Sequence, residues 1–285
     1  MPELPEVAAL AVGLTERMAG RRVDAARLRS MAALKTYDPP LTALVGTTVE
    51  AWRRHGKFLE MAAGEISLVV HLARGGWIRW RDRLNEARPS LRGPLALQVE
   101  LDGGAGIEIT EQGTEKRLAL YVVRSVGDVP GIGRLGVDVL DPGLDAARLG
   151  ALLASASGQL KTVLADQTVV AGVGNAYSDE VLHTARLSPF RRGSSLDADE
   201  VEQLHHALRS VMTAAVARAA GADISMLKPD KKEALRVHGR TGQPCPVCAD
   251  TIREVSLSSR SFQYCPTCQT GGRVLADRRL SRLLR

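Results

Sequence analysis

Four cysteines, Cys245, Cys248, Cys265 and Cys268, follow the pattern Cys-x2-Cys-x16-Cys-x2-Cys, and the chain contains no others. Each close pair can reach one metal ion from a tight turn, and the long insert leaves room for a β-hairpin that returns the second pair to the same ion. Four thiolates favour tetrahedral Zn2+ in a closed structural site with no open position for a catalytic water. Two disulfides or free buried thiols are the alternatives, and the spacing disfavours them. A metal-pinned hairpin is stiff and can hold Arg253, Arg260 and Arg273 against a phosphate backbone.

The second candidate chemistry lies in the opening MPELPEV. With Met1 removed, Pro2 becomes a secondary amine able to attack an electrophilic carbon and form an iminium that acts as an electron sink. Glu3 is its neighbour, and an amine beside a carboxyl group has an acid/base partner for the proton transfers that such a reaction needs. The same residues also suit ordinary helix capping. Pro5 is tolerated in a first helical turn, and Glu3 and Glu6 lie near the positive end of a helix dipole.

These residues need elements to position them. Val7, Leu10, Leu14 and Met18 fall on one face of a helix that ends near Gly20. Short β-type runs follow at Val23–Leu28, Thr47–Trp52, Phe58–Met61, Ile66–Leu72, Trp77–Trp80, Leu95–Leu101, Gly106–Thr110 and Leu118–Val123. Strands separated by turn signals predict an antiparallel sandwich or barrel rather than a parallel sheet. The Gly- and Pro-rich stretch from Gly127 to Leu144 reads as a linker. Ala146–Leu153, Leu160–Ala165, Asn175–Ala185 and Ala198–Ala219 then suit helices.

The predicted fold is therefore α+β. It has an N-terminal helix with a β-sandwich domain over 1–130, a linker over 131–144, a helical domain over 145–235, and a zinc hairpin with a basic tail over 236–285. A length of 285 residues agrees with two domains. The composition, with 25% charged residues, excludes collagenous and disordered classes. No apolar run approaches the roughly 20 residues needed to span a bilayer, and the N-terminus does not read as a secretory signal, so a cytoplasmic protein without a membrane partner is expected. The net charge is +6, and residues from Lys228 onward, with 12 Lys/Arg against 5 Asp/Glu, carry +7 of their own. That basic end permits a polyanionic partner without demanding one.

Four separated segments carry a resemblance to the formamidopyrimidine-DNA glycosylase/endonuclease VIII family. They are MPELPEV, HGKFL around Lys57, VVAGVGNAYSDE around Asn175, and HGRTGQPCPVC leading to RSFQYCPTCQ. The resemblance spans essentially the whole chain. It implies a base-excision-repair DNA glycosylase with AP lyase activity, carrying one structural Zn2+ and acting on double-stranded DNA with a damaged base or abasic site. A helix–two-turn–helix motif, a monomer and nucleoid association are implied with it. Pro2 is then the nucleophile, Glu3 the acid/base group, and Glu6 a neighbour near the active site. Lys57 contacts phosphate and assists elimination, and Arg260 on the zinc hairpin grips phosphates around the lesion and is implicated in δ-elimination. Asn175 grips a phosphate beside helix-start N–H groups, and Lys161 and His71 are similar to phosphate-contacting positions. A buried base cannot offer its sugar carbon to Pro2, so the nucleotide must be flipped out.

Two departures from the family pattern concern the residues that fill the gap left by a flipped base. HLARGGW places Arg74 where the family has Met, and VVRSVGD offers Arg124 for the family Arg, with no Phe after it. The segment GADISMLKPDKKEALRVHG is also shorter and more basic than the family's lesion-capping loop. These changes leave the preferred lesion open and predict abasic-site cleavage to be better kept than 8-oxoguanine excision. Two other classes compete with the enzyme: a non-catalytic binder of damaged, bent or gapped DNA, and a zinc-stabilised interaction protein without a DNA role.

Overall fold

The structure, a computed structural model, describes residues 1–85, 93–257 and 260–276. The chain divides into two compact units. One holds Met1–Arg134 and Arg218–Lys228, the other Leu135–Ala217 and Pro229–Arg285.

The first unit opens with helix α1 (Leu4–Met18), whose first turn contains Pro5 and Glu6. Val7, Leu10, Leu14 and Met18 are fully buried, as their helical spacing requires. Two four-stranded antiparallel sheets form the sandwich. In one, β1 (Val23–Leu28), β6 (Leu95–Leu101), β7 (Gly106–Glu111) and β5 (Gly76–Arg81) lie in that order. In the other the order is β2 (Ala51–His55), β3 (Phe58–Ala63), β4 (Ile66–His71) and β8 (Ala119–Val123). Their inner faces share a core in which Leu59, Met61, Leu68, Val70 and Val122 meet Ile78, Leu97, Val99 and Ile109. Ala219, Ile224 and Leu227 join the same core.

Strand β2 is displaced toward the C-terminus from the predicted Thr47–Trp52. Residues 47–49 instead exchange backbone bonds with 20–23, including Val49 N–H to the Arg21 carbonyl at 2.9 Å. The strand continues through Arg53 and Arg54, whose polarity hides it from a hydrophobicity reading. Helix α1 runs antiparallel along β2. Just past its C-terminal end Gly20 N–H donates to the Val49 carbonyl at 2.8 Å, and further back the Thr15 hydroxyl accepts from Trp52 N–H at 2.7 Å, so a step back along the helix is a step forward along the strand. The N-terminus of α1 therefore points toward the end of β2 where the chain turns through Gly56 and Lys57.

The second unit begins with β9 (Val137–Asp138), paired in parallel with β10 (Val170–Ala171), so part of the Gly-rich stretch is ordered structure. Helices α2 (Ala146–Ser155), α3 (Leu160–Leu164), α4 (Asn175–Thr184) and α5 (Ala198–Ala220) occupy the expected positions. Between α3 and α4 the chain makes two turns pinned by Gln167. Its amide donates to the Val173 carbonyl at 2.7 Å and accepts from Gly172 N–H at 3.0 Å. Helix α6 (Leu227–Ala234) is absent from the sequence reading, because LKPDKKEA has few apolar residues besides Leu227 and Ala234 and carries a Pro in its first turn. Two of its lysines rest on aromatic rings, each within its own unit: Lys228, the last residue of the first unit, has its Nζ 4.5 Å from the Trp77 centroid, and in the second unit Lys231 Nζ lies 4.6 Å from that of Tyr177. Strands β11 (Arg253–Leu257) and β12 (Arg260–Tyr264) form the hairpin, and α7 (Pro266–Thr270) follows. Among the described residues, no helix is long and apolar enough to cross a membrane.

In the first unit, the loop after β4 and the segment after β7 lock together through backbone. Gln112 N–H donates to the Gly75 carbonyl at 3.0 Å, and a Cβ at position 75 would stand 2.0 Å from the Gln112 carbonyl oxygen. Gly76 is equally tight, 2.2 Å from the Leu72 oxygen. Gly75→Ala should therefore cost about 1–3 kcal/mol of stability through forced separation of the two loops. Urea denaturation checks this, and an unchanged midpoint would show that the loops are not locked.

Candidate functional site

Pro2 and Glu3 are buried just before α1. The Glu3 backbone N–H donates to Glu6 Oε2 at 2.8 Å, and Glu6 is itself only 2% exposed. Glu6 therefore holds the backbone of Glu3 in place, a positioning role that its spacing of three residues makes possible.

The β2–β3 turn carries Lys57, which is buried. Register sets its neighbours, since Phe58 pairs with His71 across β3 and β4 and their rings lie 4.6 Å apart. Burial, followed by the nearby Lys57 ammonium, pushes the His71 pKa down to about 4. His71 is thus a neutral imidazole at pH 7. Just beyond it, the backbone of Ala73 is left-handed (φ 47°) and Arg74 is exposed. Lys57, His71 and Arg74 therefore gather at one end of the sheet, the end toward which the α1 N-terminus points.

Arg124 lies elsewhere. Strands β4 and β8 pair with His71 opposite Ala119 and Ser67 opposite Val123. Arg124 thus follows the opposite end of that ladder, five residues or about 17 Å of strand beyond the position facing His71. There it pairs with Asp38 at 3.4 Å, and the expectation that it stands beside Arg74 is corrected. The segment that does adjoin the Arg74 loop is 112–117, exposed throughout. Glu111 shapes it from below, accepting N–H bonds from Arg117 at 2.6 Å and Leu118 at 2.7 Å. The sequence signal was available: EQGTEKR directly precedes β8, whereas Arg124 comes only after that strand ends.

In the second unit, Lys161 is 4% exposed. Its ammonium donates to Asp179 Oδ1 at 2.6 Å, to Ser178 Oγ at 2.9 Å and to the Asn175 carbonyl. Three N–H donors meet three acceptors, so Lys161 supports the start of α4 from beneath rather than presenting charge at the surface. Gly174 is the N-cap, and Asn175 is the first helical residue. The Asn175 amide donates to the Ser261 carbonyl of β12 at 2.9 Å, and its Oδ1 is buried without a partner. The second Asp179 oxygen accepts from His238 Nδ1 at 2.6 Å and Gln263 N–H at 3.2 Å. Glu180 accepts the N–H groups of Arg236, Val237 and His238, each at 2.9 Å. The backbone of Arg260 opens β12, paired with Leu257; its side chain lies outside the described residues.

The four cysteine sulfurs lie within 4.8 Å of one another. Cys245–Cys268 is 3.8 Å, Cys248–Cys265 3.4 Å and Cys248–Cys268 3.5 Å. A tetrahedron of sulfurs about 2.3 Å from a central ion has edges of about 3.8 Å, so the donor set fits one structural zinc. Burial pushes the Cys265 thiol up and that of Cys268 up to about 11; a bound cation is what makes these sulfurs thiolates.

Residues 1–118 match the formamidopyrimidine-DNA glycosylase N-terminal domain, 135–226 the formamidopyrimidine-DNA glycosylase H2TH domain, and 242–271 a zinc finger found in FPG and IleRS. The chain belongs to the formamidopyrimidine-DNA glycosylase family. The formamidopyrimidine-DNA glycosylase of Symbiobacterium thermophilum is 34% identical over 279 residues, covering 94% of this chain and 89% of the relative. An uncharacterized formamidopyrimidine-DNA glycosylase-like protein of Mycobacterium tuberculosis is 56% identical over 151 residues, 53% of this chain and 94% of its own. The crystal structure of MutM (Fpg) from Thermus thermophilus superposes with a TM-score of 0.79 at 30% identity, covering 94% and 98% of the two chains. The Lactococcus lactis Fpg, solved bound to AP-site-containing DNA, shares the fold with a TM-score of 0.83 at 23% identity, over 94% of this chain and all of that one.

Two outcomes follow from the buried charges. Lys161→Met should destabilise the protein by about 3–5 kcal/mol, because Asp179 would stay buried without its cation; a loss below about 1 kcal/mol on chemical denaturation would contradict the saturated geometry. His71 refuses a proton between pH 6.5 and about 4, a range where the unfolded chain accepts it. Stability should therefore fall as pH drops through that window, with His71 contributing up to about 1.4 kcal/mol per pH unit. His71→Gln should flatten the profile there.

Proposed function

We propose that the chain is a base-excision-repair DNA glycosylase with AP lyase activity, acting on duplex DNA that carries a damaged base or an abasic site. One observation carries the reading. Pro2 and Glu3 lie on a turn fixed by Glu6, on an α1 N-terminus directed at the end of the sandwich that holds Lys57 and His71. Family membership supports the glycosylase class.

After Met1 is removed, the Pro2 amine attacks the sugar C1′ of a flipped-out nucleotide. Glu3 gives its proton to the departing base, takes up the proton that the attacking amine loses, and returns it to the ring oxygen as the C1′–O4′ bond opens to the iminium. The resulting iminium withdraws electrons, so a proton is lost from C2′ and the 3′ phosphate is expelled; a second elimination expels the 5′ phosphate. Lys57 serves as the phosphate contact and proton donor for these steps, with neutral His71 beside it. Asn175 and the N–H groups at the start of α4 grip a flanking phosphate, and Arg260 reaches the phosphates around the lesion.

Arg74 fills the gap left by the flipped nucleotide. A guanidinium hydrogen-bonds or stacks on the orphaned base, where an aliphatic side chain only fills space. The exposed 112–117 segment, locked to the Arg74 loop, takes the place beside it that Arg124 does not reach. Lyase chemistry needs little base recognition, so abasic-site cleavage should exceed 8-oxoguanine excision opposite cytosine in a strand-nicking assay.

Borohydride trapping on a duplex with one abasic site tests the class. The processed protein should give a covalent band, and Pro2→Gly should lower it at least about 100-fold while duplex affinity changes only a few-fold. No band from protein lacking Met1 and binding the duplex would replace the enzyme with a non-catalytic binder of damaged DNA.

A further inference from the structure

His183 is only 3% exposed near the C-terminal end of α4. Its Nε2 lies 3.3 Å from Cys245 Sγ, while Nδ1 is buried without a partner. That pair of facts favours one tautomer. With the proton on Nε2, the ring donates to sulfur and Nδ1 leaves only an unmet lone pair. The opposite tautomer would bury an unpaired N–H and turn a lone pair toward the sulfur.

We propose that His183 is an outer-sphere member of the zinc site, donating its Nε2–H to the zinc-bound thiolate of Cys245 and thereby slowing zinc loss. Cys245 already accepts a backbone N–H from Val247 at 3.5 Å. Four thiolates on a divalent ion leave an excess of negative charge, and each N–H directed at a sulfur relieves part of it. The contact also completes a row along α4. Asp179 and Glu180 bind the backbone of Gln263 and of residues 236–238, and His183, one turn further on, extends the same row to a metal ligand. The inference does not depend on the lyase reading, since it concerns the metal and not DNA.

Zinc transfer from the full-length protein to a metallochromic chelator, with excess EDTA, provides the test. His183→Phe keeps a ring and removes the donor, so it should release zinc on the order of 10–100-fold faster. His183→Gln retains an N–H donor and should stay within a few-fold of wild type. In the cobalt-substituted protein, the thiolate-to-cobalt charge-transfer band should move to longer wavelength in His183→Phe, because a sulfur without its hydrogen bond gives up electrons more easily. A folded His183→Phe with wild-type release and an unmoved band would overturn the proposal and leave His183 as packing. Histidine 15N shifts of the unmutated zinc-loaded protein decide the matter if His183→Phe does not fold: a protonated Nε2 with a bare Nδ1 supports the assignment, and the reverse tautomer overturns it.

Discussion

The buried ion pair between Lys161 and Asp179 is the contact on which the second unit is organised. An ammonium with every donor occupied allows a carboxylate to remain charged in the interior, and that carboxylate then has an oxygen to offer β12 and His238. Without Lys161, Asp179 would be an uncompensated charge, and the start of α4 would lose the group beneath its Asn175 carbonyl. A hydrophobic contact could join α4 to the hairpin as firmly, but it would not fix direction. Charged hydrogen bonds set which residue of β12 faces which residue of α4. The zinc module has two small apolar clusters, one of Val237, Cys245, Ile252 and Cys265 and one of Val255, Phe262, Tyr264 and Leu275 with Phe190 packed against it; these add area, and the polar contacts set its register on α4.

Strand register does the corresponding work in the first unit. Lys57 sits at the β2–β3 turn and His71 at the end of β4, and pairing of Phe58 with His71 brings them together. The same pairing makes their charges interact, so one residue's ammonium helps keep its neighbour's imidazole neutral. Antiparallel geometry also separates residues that look close in sequence terms. Arg124 follows a strand whose far end faces His71, and so it belongs to a different edge of the sandwich. The Arg74 loop and residues 112–117 meet because Gly75 and Gly76 let two backbones approach to distances that no side chain permits.

Much of the fold was legible from residue types and spacing. Helical periodicity marked α1, and turn-bounded apolar runs marked most strands, since both report which face is buried. The cysteine pattern specified the metal because ligand type and loop length suffice to define a tetrahedral site. Strand β2 and helix α6 were misplaced or missed for one reason: Arg53, Arg54 and the lysines of LKPDKKEA make elements whose order comes from partners distant in sequence.

What the sequence alone determined was the inventory of residues: Pro2 beside Glu3, four cysteines at zinc-ligand spacing, and a basic end. Only the tertiary structure decided how the charged residues are used. It placed Lys161 in an interior ion pair, made Glu6 a support for Glu3, moved Arg124 away from Arg74, and set His183 against Cys245. A side chain's identity fixes its charge and donors, whereas burial and register fix which acceptors it meets, and those depend on residues that the linear pattern cannot pair.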